Sequence, residues 1–564
     1  MLQPAARGSV RRARPGRVHL DVSGTAQVRH TLYGHENDAA GAPAFRPVLE
    51  TPLPLTPLAR AAAAVATGAA LILAFAPYDL WFVAILVPAA FALLVRGQSL
   101  RRSAFIGLLV GLGFFVPFLP WIGEEVGPVP WLILAFFQSL FFVPLGLVLA
   151  LVQRLPGWPV WTATAWVGEE ALRGRVPYGG FTWGKLAFAQ TDGPLLGLAG
   201  LGGSPLVTFA AALAGGLLAW AVLPRSVIGR LVALAAVAGI VAAGTLVPSG
   251  VTADNTLTVA VVQGNVPELG LDFAAERRVI TRNNAEATRE LADQVAQGEA
   301  KQPDIVVWPE NSADINPYAD PVTRADISAA VGAIGVPTLV GALVPTPDEL
   351  NIQNTSIVWL PGDGPGATYV KRHPMPFGEY IPFRRLARLI TPAVDRQPRD
   401  FVAGHEVGVL DMGAAPVGAI ICFEVAFDDL VRDAVRGGGE LIAVQTNNAT
   451  FGFSPMTEQQ LAMARLRAVE HGRTVLVSAL AGVSAVVQPD GSVADRAELD
   501  TRDVLVADVP LATEYTLATT AGEWTEWILV AVALAAMIGA GVVSRRRQTE
   551  AERTPAPPAT VEVT

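Results

Sequence analysis

The sequence is short of cysteine, lysine and charge. One cysteine stands among 564 residues, so no disulfide can form within the chain and CxxC zinc or redox frameworks are excluded. Lysine occurs only at 185, 301 and 371, although Lys and Arg together number 41. Charged residues make up 16%, against roughly 25% in an ordinary globular chain. A disordered chain is thereby excluded, and one average soluble enzyme is a poor description. The formal net charge of −9 disfavours a general nucleic-acid binder, and no nucleic-acid partner is expected. Histidines stand at 19, 30, 35, 373, 405 and 471 with no HExxH or paired spacing, so no metal site is expected. A P-loop or GxGxxG turn is also missing, and no cofactor is expected.

Apolar residues are what the chain has in quantity, at 51%. Residues 1–56 are polar and carry Arg7, Arg11, Arg12, Arg14, Arg17, Arg29 and Arg46 without a signal-peptide core. They read as a basic disordered tail. Apolar runs follow at 58–76, 80–95, 104–121, 131–152, 195–222, 227–247 and 527–543, and a helix crosses the hydrocarbon with about 20 residues. A weaker run, 158–168, meets Glu169, Glu170 and Arg173 at its end. Counting it gives seven helices over 57–248 and an eighth over 524–543. With that count the basic tail, Arg96, Arg101, Arg102, Arg154, Arg225, Arg230 and Arg545 to Arg547 share one side. Arginine near helix ends marks the cytoplasmic face. Both termini, including a disordered tail at 544–564, are then cytoplasmic, and residues 255–512 lie outside. Arg173 and Arg175 are exceptions on the outer face, and neither Arg173 nor Lys185 has an evident role.

From 255 to 512 the pattern changes to short β-branched runs at 257–263, 305–308, 338–341, 355–360, 417–421, 441–446, 474–479 and 484–488. Amphipathic stretches at 274–297 and 458–472 lie between them. This alternation indicates a layered α/β domain. An apolar run delivers Cys422 at its end, followed by Phe423 and Glu424; another delivers Glu310 after Trp308 and Pro309. α/β folds place reactive groups at strand ends. A lone cysteine is nevertheless most often a small buried hydrophobe, and a lone strand-end Glu is by default exposed. Lys371 is one lysine in a chain that otherwise uses arginine, a pattern that chance also produces; an ammonium there suits an oxyanion, with Glu379 to orient it.

Taken together, Glu310, Lys371 and Cys422 in that order resemble the Glu–Lys–Cys triad of the carbon–nitrogen hydrolase (nitrilase) superfamily. The strings that carry the resemblance are Val262-Gln263-Gly264-Asn265-Val266-Pro267, Trp308-Pro309-Glu310, Lys371-Arg372-His373, Pro376-Phe377-Gly378-Glu379-Tyr380, Cys422-Phe423-Glu424 and Thr446-Asn447-Asn448, with Ala464-Arg465-Leu466-Arg467-Ala468 on a following helix. Along most of its length the chain resembles the membrane branch of that superfamily, the apolipoprotein N-acyltransferases. Leu271 replaces a Trp and Phe423 a Tyr found in many members.

The resemblance implies an αββα sandwich inserted outside a bacterial plasma membrane between seven helices and one. It implies Glu310 as proton acceptor, Lys371 with the Phe423 N–H as oxyanion stabilisers, and Cys422 as nucleophile, with Glu379 and Glu424 in support. A membrane phospholipid would donate an acyl chain through a thioester, and the N-terminal amine of a diacylated apolipoprotein would accept it. Phe377, Phe383, Phe423, Phe451 and Phe453 are candidates for an apolar lid. The rival readings are a membrane-tethered amidase with the same triad, and a transporter, which would need charges at mid-membrane.

Overall fold

The computed structural model describes residues 52–223, 226–247, 255–266 and 277–553. Leu271, residues 1–51 of the basic tail and residues 554–564 lie outside the described residues. Thr56 caps α1 (Pro57–Leu71) by accepting the Ala59 N–H, and a 3-10 turn, Ile72–Ala74, extends it. Then come α2 (Val83–Val95), α3 (Leu100–Phe118), short α4 (Trp121–Val126), α5 (Pro128–Ser139), α6 (Phe142–Val152), α7 (Trp158–Arg173), α8 (Ala199–Val222) and α9 (Val227–Leu246). Among the described residues six helical segments are long and apolar enough to cross a membrane. At 13 and 16 residues, α2 and α7 are shorter. The run at 131–152 is divided at Leu140, between α5 and α6, while α8 is kinked at Gly202 and Gly203 just before Pro205.

Close backbone approach holds these helices together. A Cβ on Gly68 of α1 would lie 2.0 Å from the Val110 carbonyl of α3, and one on Gly107 of α3 would lie 2.1 Å from the Phe142 carbonyl of α6. Lipid tails are as apolar as leucine, so tight contact replaces the hydrophobic drive that packs helices in water.

The α/β domain has two six-stranded mixed sheets. The first contains β1 (Asn255–Gln263), β2 (Ile305–Val307), β3 (Thr338–Pro345), β4 (Ile352–Leu360), β5 (Gly364–Val370) and, beside β1, β12 (Asp503–Leu511). The second contains β6 (Val409–Asp411), β7 (Pro416–Ile421), β8 (Leu441–Thr446), β9 (Val475–Ala479), β10 (Ala485–Val487) and β11 (Val493–Arg496). Strands β1–β3 run parallel, as do β7–β9. Alternate residues follow the pleat. Val259, Val261, Val417 and Ala419 face the layer between the sheets, and Ala260 and Val262 face outward.

Helices α10 (Arg277–Gln297) and α11 (Pro321–Ile334) contribute to the apolar layer outside the first sheet. The second sheet is covered by α13 (Asp428–Arg436) and α14 (Met456–His471), after the small helix α12 (Arg384–Ile390). The result is an αββα sandwich. One apolar cluster joins the outer face of the second sheet, α13, α14 and the membrane helices. Last come α15 (Leu517–Ala521) and α16 (Trp524–Arg553). The disordered tail expected from 544 is therefore helical as far as Arg553, because Arg545, Arg546, Arg547, Gln548 and Glu550 are good helix formers and the prolines come later.

Gly68→Val should cost about 1–3 kcal/mol by overpacking α1 on α3. Thermal unfolding in detergent checks this, and an unchanged midpoint would contradict the close contact.

Candidate active site

Parallel pairing of β1–β3 and of β7–β9 brings the C-terminal ends of like-directed strands together, and the three candidate groups emerge there or at the neighbouring end of β5. Strand β2 leads into Trp308-Pro309-Glu310. The buried Trp308 indole donates to Thr288 Oγ1 at 2.9 Å, and the Trp308 carbonyl accepts Gln445 Nε2 at 2.6 Å from the second sheet. Glu310 is 5% exposed. Its Oε1 accepts from Asn354 Nδ2 at 2.6 Å and Lys371 Nζ at 3.4 Å, and its Oε2 from the Asn447 N–H at 2.8 Å.

Lys371 follows β5 and is 2% exposed. Its ammonium lies 2.9 Å from Glu379 Oε2. Asn354 also donates to Glu379 Oε1 at 2.9 Å, so one amide bridges both carboxylates. Glu379 is held in turn by the Met375 N–H at 2.6 Å.

Cys422 ends β7 and opens a 3-10 turn, Cys422–Ala426, with φ of +52°. A non-glycine residue held there stores strain of about 1–3 kcal/mol. Its Sγ is met by Thr446 Oγ1 at 3.3 Å and Gln460 Nε2 at 3.8 Å. Thr446 precedes the Asn447 that binds Glu310, so the end of β8 touches both the thiol and the carboxylate.

Burial pushes the Cys422 thiol up to about 12, Glu310 adds to this, and Lys371 opposes it. Burial also raises Glu310 above the usual carboxylate range, with Lys371 pulling the other way and Glu379 reinforcing the rise. For Lys371 burial disfavours the charged form, but Glu379 and Glu310 outweigh it and hold the ammonium above its ordinary range. The resting arrangement is a neutral thiol beside an ammonium that two carboxylates share.

Glu424 is fully buried and ties the Cys422 turn to the lysine loop. It accepts the Ile421 N–H at 2.8 Å, the Arg372 N–H at 2.7 Å, the His373 N–H at 3.1 Å and the Tyr369 hydroxyl at 3.0 Å. Phe423 stacks on Trp183 with centroids 6.2 Å apart and meets Phe427 edge-on at 5.0 Å. Of the five phenylalanines considered for a lid, Phe423 is packed inside and Phe451 lies edge-on to Trp121, whereas Phe377, Phe383 and Phe453 are exposed.

Arg173 and Lys185 now have partners. Arg173 pairs with Glu169 at 2.8 Å and donates to the Phe181 and Trp183 carbonyls at 3.0 and 2.7 Å, fixing the loop under Phe423. Lys185 lies 2.8 Å from Asp428 and 3.2 Å from Ser204 Oγ of α8. Asp428 also pairs with Arg467. Arg467 is fully buried and donates to the Val425 and Ala426 carbonyls at 2.9 and 3.1 Å, within the Cys422 turn. Asn354, Asp428 and Gln460 escaped the reading of the sequence, since no local pattern marks them. Arg467 lay within a quoted string whose role was open.

A family model for the apolipoprotein N-acyltransferase N-terminal domain matches residues 67–217, and one for carbon-nitrogen hydrolases matches 258–519. An apolipoprotein N-acyltransferase of Mycolicibacterium smegmatis is 41% identical over 505 residues, covering 84% of each chain. The chain belongs to the apolipoprotein N-acyltransferase family. A second relative of that name, from Photobacterium profundum, is 30% identical over 83% of this chain and 92% of its own. A variant of Nesterenkonia AN1 amidase from the nitrilase superfamily aligns at 18% identity and a TM-score of 0.35, covering 50% of this chain and 97% of its own.

Two predictions follow from this site in a member of the family. If Glu310 is the base, it acts only when ionised, and its raised pKa makes it protonate at a higher pH than an ordinary carboxylate. Activity should then fall on the acid side with an inflection above the ordinary 4.5, and Glu379→Gln should move that inflection down. A rate that ignores pH through this range would exclude Glu310. Asp428→Ala leaves Lys185 without its carboxylate and Arg467 with Glu470 alone, and should destabilise the fold by about 3–5 kcal/mol. Lys185→Met leaves Asp428 paired with Arg467 and should cost less. Unfolding in detergent ranks the two, and the reverse order would refute the network.

Proposed function

We propose that this chain is a bacterial membrane N-acyltransferase acting on lipoproteins, with a membrane phospholipid as acyl donor and Cys422 as acyl carrier. Membership of the family carries the reaction class. The convergence of Glu310, Lys371 and Cys422 at one end of the sandwich supports the residue roles.

In the first half-reaction Glu310 takes the thiol proton and Cys422 Sγ attacks the ester carbonyl of the phospholipid. Charge develops on the carbonyl oxygen, where the Lys371 ammonium and the Phe423 N–H stabilise it; one such donor is commonly worth about 10²–10³ in rate. The tetrahedral intermediate collapses. The lysophospholipid alkoxide leaves with the proton from Glu310, and a thioester remains. In the second half-reaction the neutral α-amine of the diacylated N-terminal cysteine attacks the thioester carbonyl, and Glu310 takes the proton that this nitrogen sheds. The C–S bond breaks, an amide forms, and Glu310 returns the proton to the Cys422 thiolate.

Glu379 keeps the ammonium in place, and Glu424 fixes the turn that presents the thiol. Eight spans, cytoplasmic termini and an outer-face catalytic domain fit two lipid-anchored substrates that arrive from the membrane plane. The acyl-transfer reading has stronger support than amide hydrolysis because the full-length relatives are named for N-acylation.

Wild-type protein, given phospholipid and a diacylated lipoprotein, should add a third acyl chain at the lipoprotein N-terminus, and Cys422→Ala should add none. Mass spectrometry of the N-terminal peptide reads the result. Equal acylation by the variant would refute the thioester route.

A further inference from the structure

In the proposed reaction Lys371 and the Phe423 N–H serve the carbonyl oxygen, and neither serves the sulfur. Sulfur takes up charge twice on that route, once when the thiol loses its proton and again when the amine expels it from the thioester. Behind Cys422 lies a polar cluster that this mechanism leaves unused. Thr446 ends β8, Asn448 stands in the loop that follows, and Gln460 comes from α14; all three are buried.

The bonds within the cluster orient its amides. Asn448 Nδ2 donates to Gln460 Oε1 at 3.0 Å. Asn448 Oδ1 therefore faces Thr446, and Gln460 Nε2 faces the sulfur at 3.8 Å. A Cβ on Gly482 would fall 2.8 Å from Asn448 Nδ2, so glycine leaves the room that this amide fills. Around Thr446 Oγ1 lie three acceptors for one proton: Asn448 Oδ1 at 3.0 Å, Gln460 Oε1 at 3.1 Å and Cys422 Sγ at 3.3 Å. A hydroxyl donates once, so it serves one of them at a time. A neutral thiol is the weakest of the three acceptors, and at rest the proton goes to an amide oxygen. A thiolate is the strongest, because a hydrogen bond to an ionised partner is roughly twice as strong as a neutral one.

We infer that Thr446 is a further catalytic residue, whose hydroxyl turns from the amide oxygens to Cys422 Sγ whenever the sulfur becomes a thiolate, with Gln460 Nε2 as a second donor. Thr446 neither gains nor loses a proton. The thiol proton still passes to Glu310, and only the torsion about the Thr446 Cβ–Oγ1 bond changes. Charge in the reaction is then met by two sets of donors, one on oxygen and one on sulfur. The sulfur set matters most after the amine has added. That intermediate expels either nitrogen or sulfur, and a donor waiting for the thiolate favours the productive departure of sulfur. The Thr446 contact already pulls the Cys422 pKa down, against burial. Since the Asn447 N–H holds Glu310, one strand end supports both the thiolate and its base. The inference rests on the thioester route proposed above.

Cys422 is the one cysteine in the chain, so alkylation of the full chain in detergent by iodoacetamide, followed by intact mass, reports its thiolate. At a fixed pH well below the inflection of the thiol, the rate follows the thiolate fraction. Thr446→Val keeps the shape of the side chain and removes the hydroxyl. It should slow alkylation about tenfold, the effect of losing one hydrogen bond to a charged group. Thr446→Ser keeps the hydroxyl and should stay near the wild-type rate. Acyl transfer to a diacylated lipoprotein should follow the same order. A side chain that only packs would give the opposite ranking, with Val spared and Ser harmed, and that result would overturn the inference. So would a wild-type alkylation rate in Thr446→Val. Should that variant fail to fold, Thr446→Ser against Thr446→Ala makes the same comparison, one hydroxyl against none, and equal rates in that pair would also overturn it. Alkylation needs neither lipid nor acceptor, so failure here is told apart from failure of the thioester route, which Cys422→Ala tests.

Discussion

One buried ammonium sets the electrostatics of the candidate site. Lys371 has a carboxylate on either side, and without it Glu310 and Glu379 would face each other across a single asparagine in a dry interior. The cost of burying charge is met only when the charges are paired and hydrogen-bonded. Both carboxylates satisfy that condition through Asn354 and backbone N–H groups, and the thiol beside them stays neutral at rest. In the proposed mechanism this is an advantage, because a charged nucleophile is formed only as substrate arrives and its proton passes to Glu310.

The same economy joins the two halves of the protein. The Cys422 turn is built on the sheet whose outer helices continue into the apolar core of the membrane helices. Lys185 and Ser204 from the membrane side and Arg467 from α14 converge on Asp428, and Arg467 binds two carbonyls of the turn. Trp183 lies under Phe423 and is held by Gln459 at 2.7 Å. Membrane helices in this fold are therefore part of the support for the thiol as well as an anchor.

Much of this was legible along the chain. The apolar runs are largely helical, although 131–152 is shared between α5 and α6, and the weaker run at 158–168 extends to Arg173 because Glu169 and Arg173 pair with each other inside the protein. The buried strands β1 to β4 and β7 to β10 were also readable, since strands covered on both faces give unbroken β-branched runs. Edge strands were not. β5 begins Gly364-Pro365-Gly366, β6 and β11 are only three and four residues long, and β12 mixes charged and apolar residues. Such segments become strands because a neighbour offers hydrogen bonds, and no local pattern records the neighbour.

The sequence by itself determined the division into an apolar frame and an α/β domain, through the lengths of its apolar runs, and it pointed to Glu310, Lys371 and Cys422 through their order and their resemblance to a family triad. Tertiary structure alone decided what those groups touch. Asn354 bridges the carboxylates, Gln460 and Thr446 meet the sulfur, and Asp428 receives cations from residues 185 and 467. The reason is physical. Periodicity and strand-end position follow from local backbone geometry, whereas the protonation of a buried group follows from which distant chain segments fold against it.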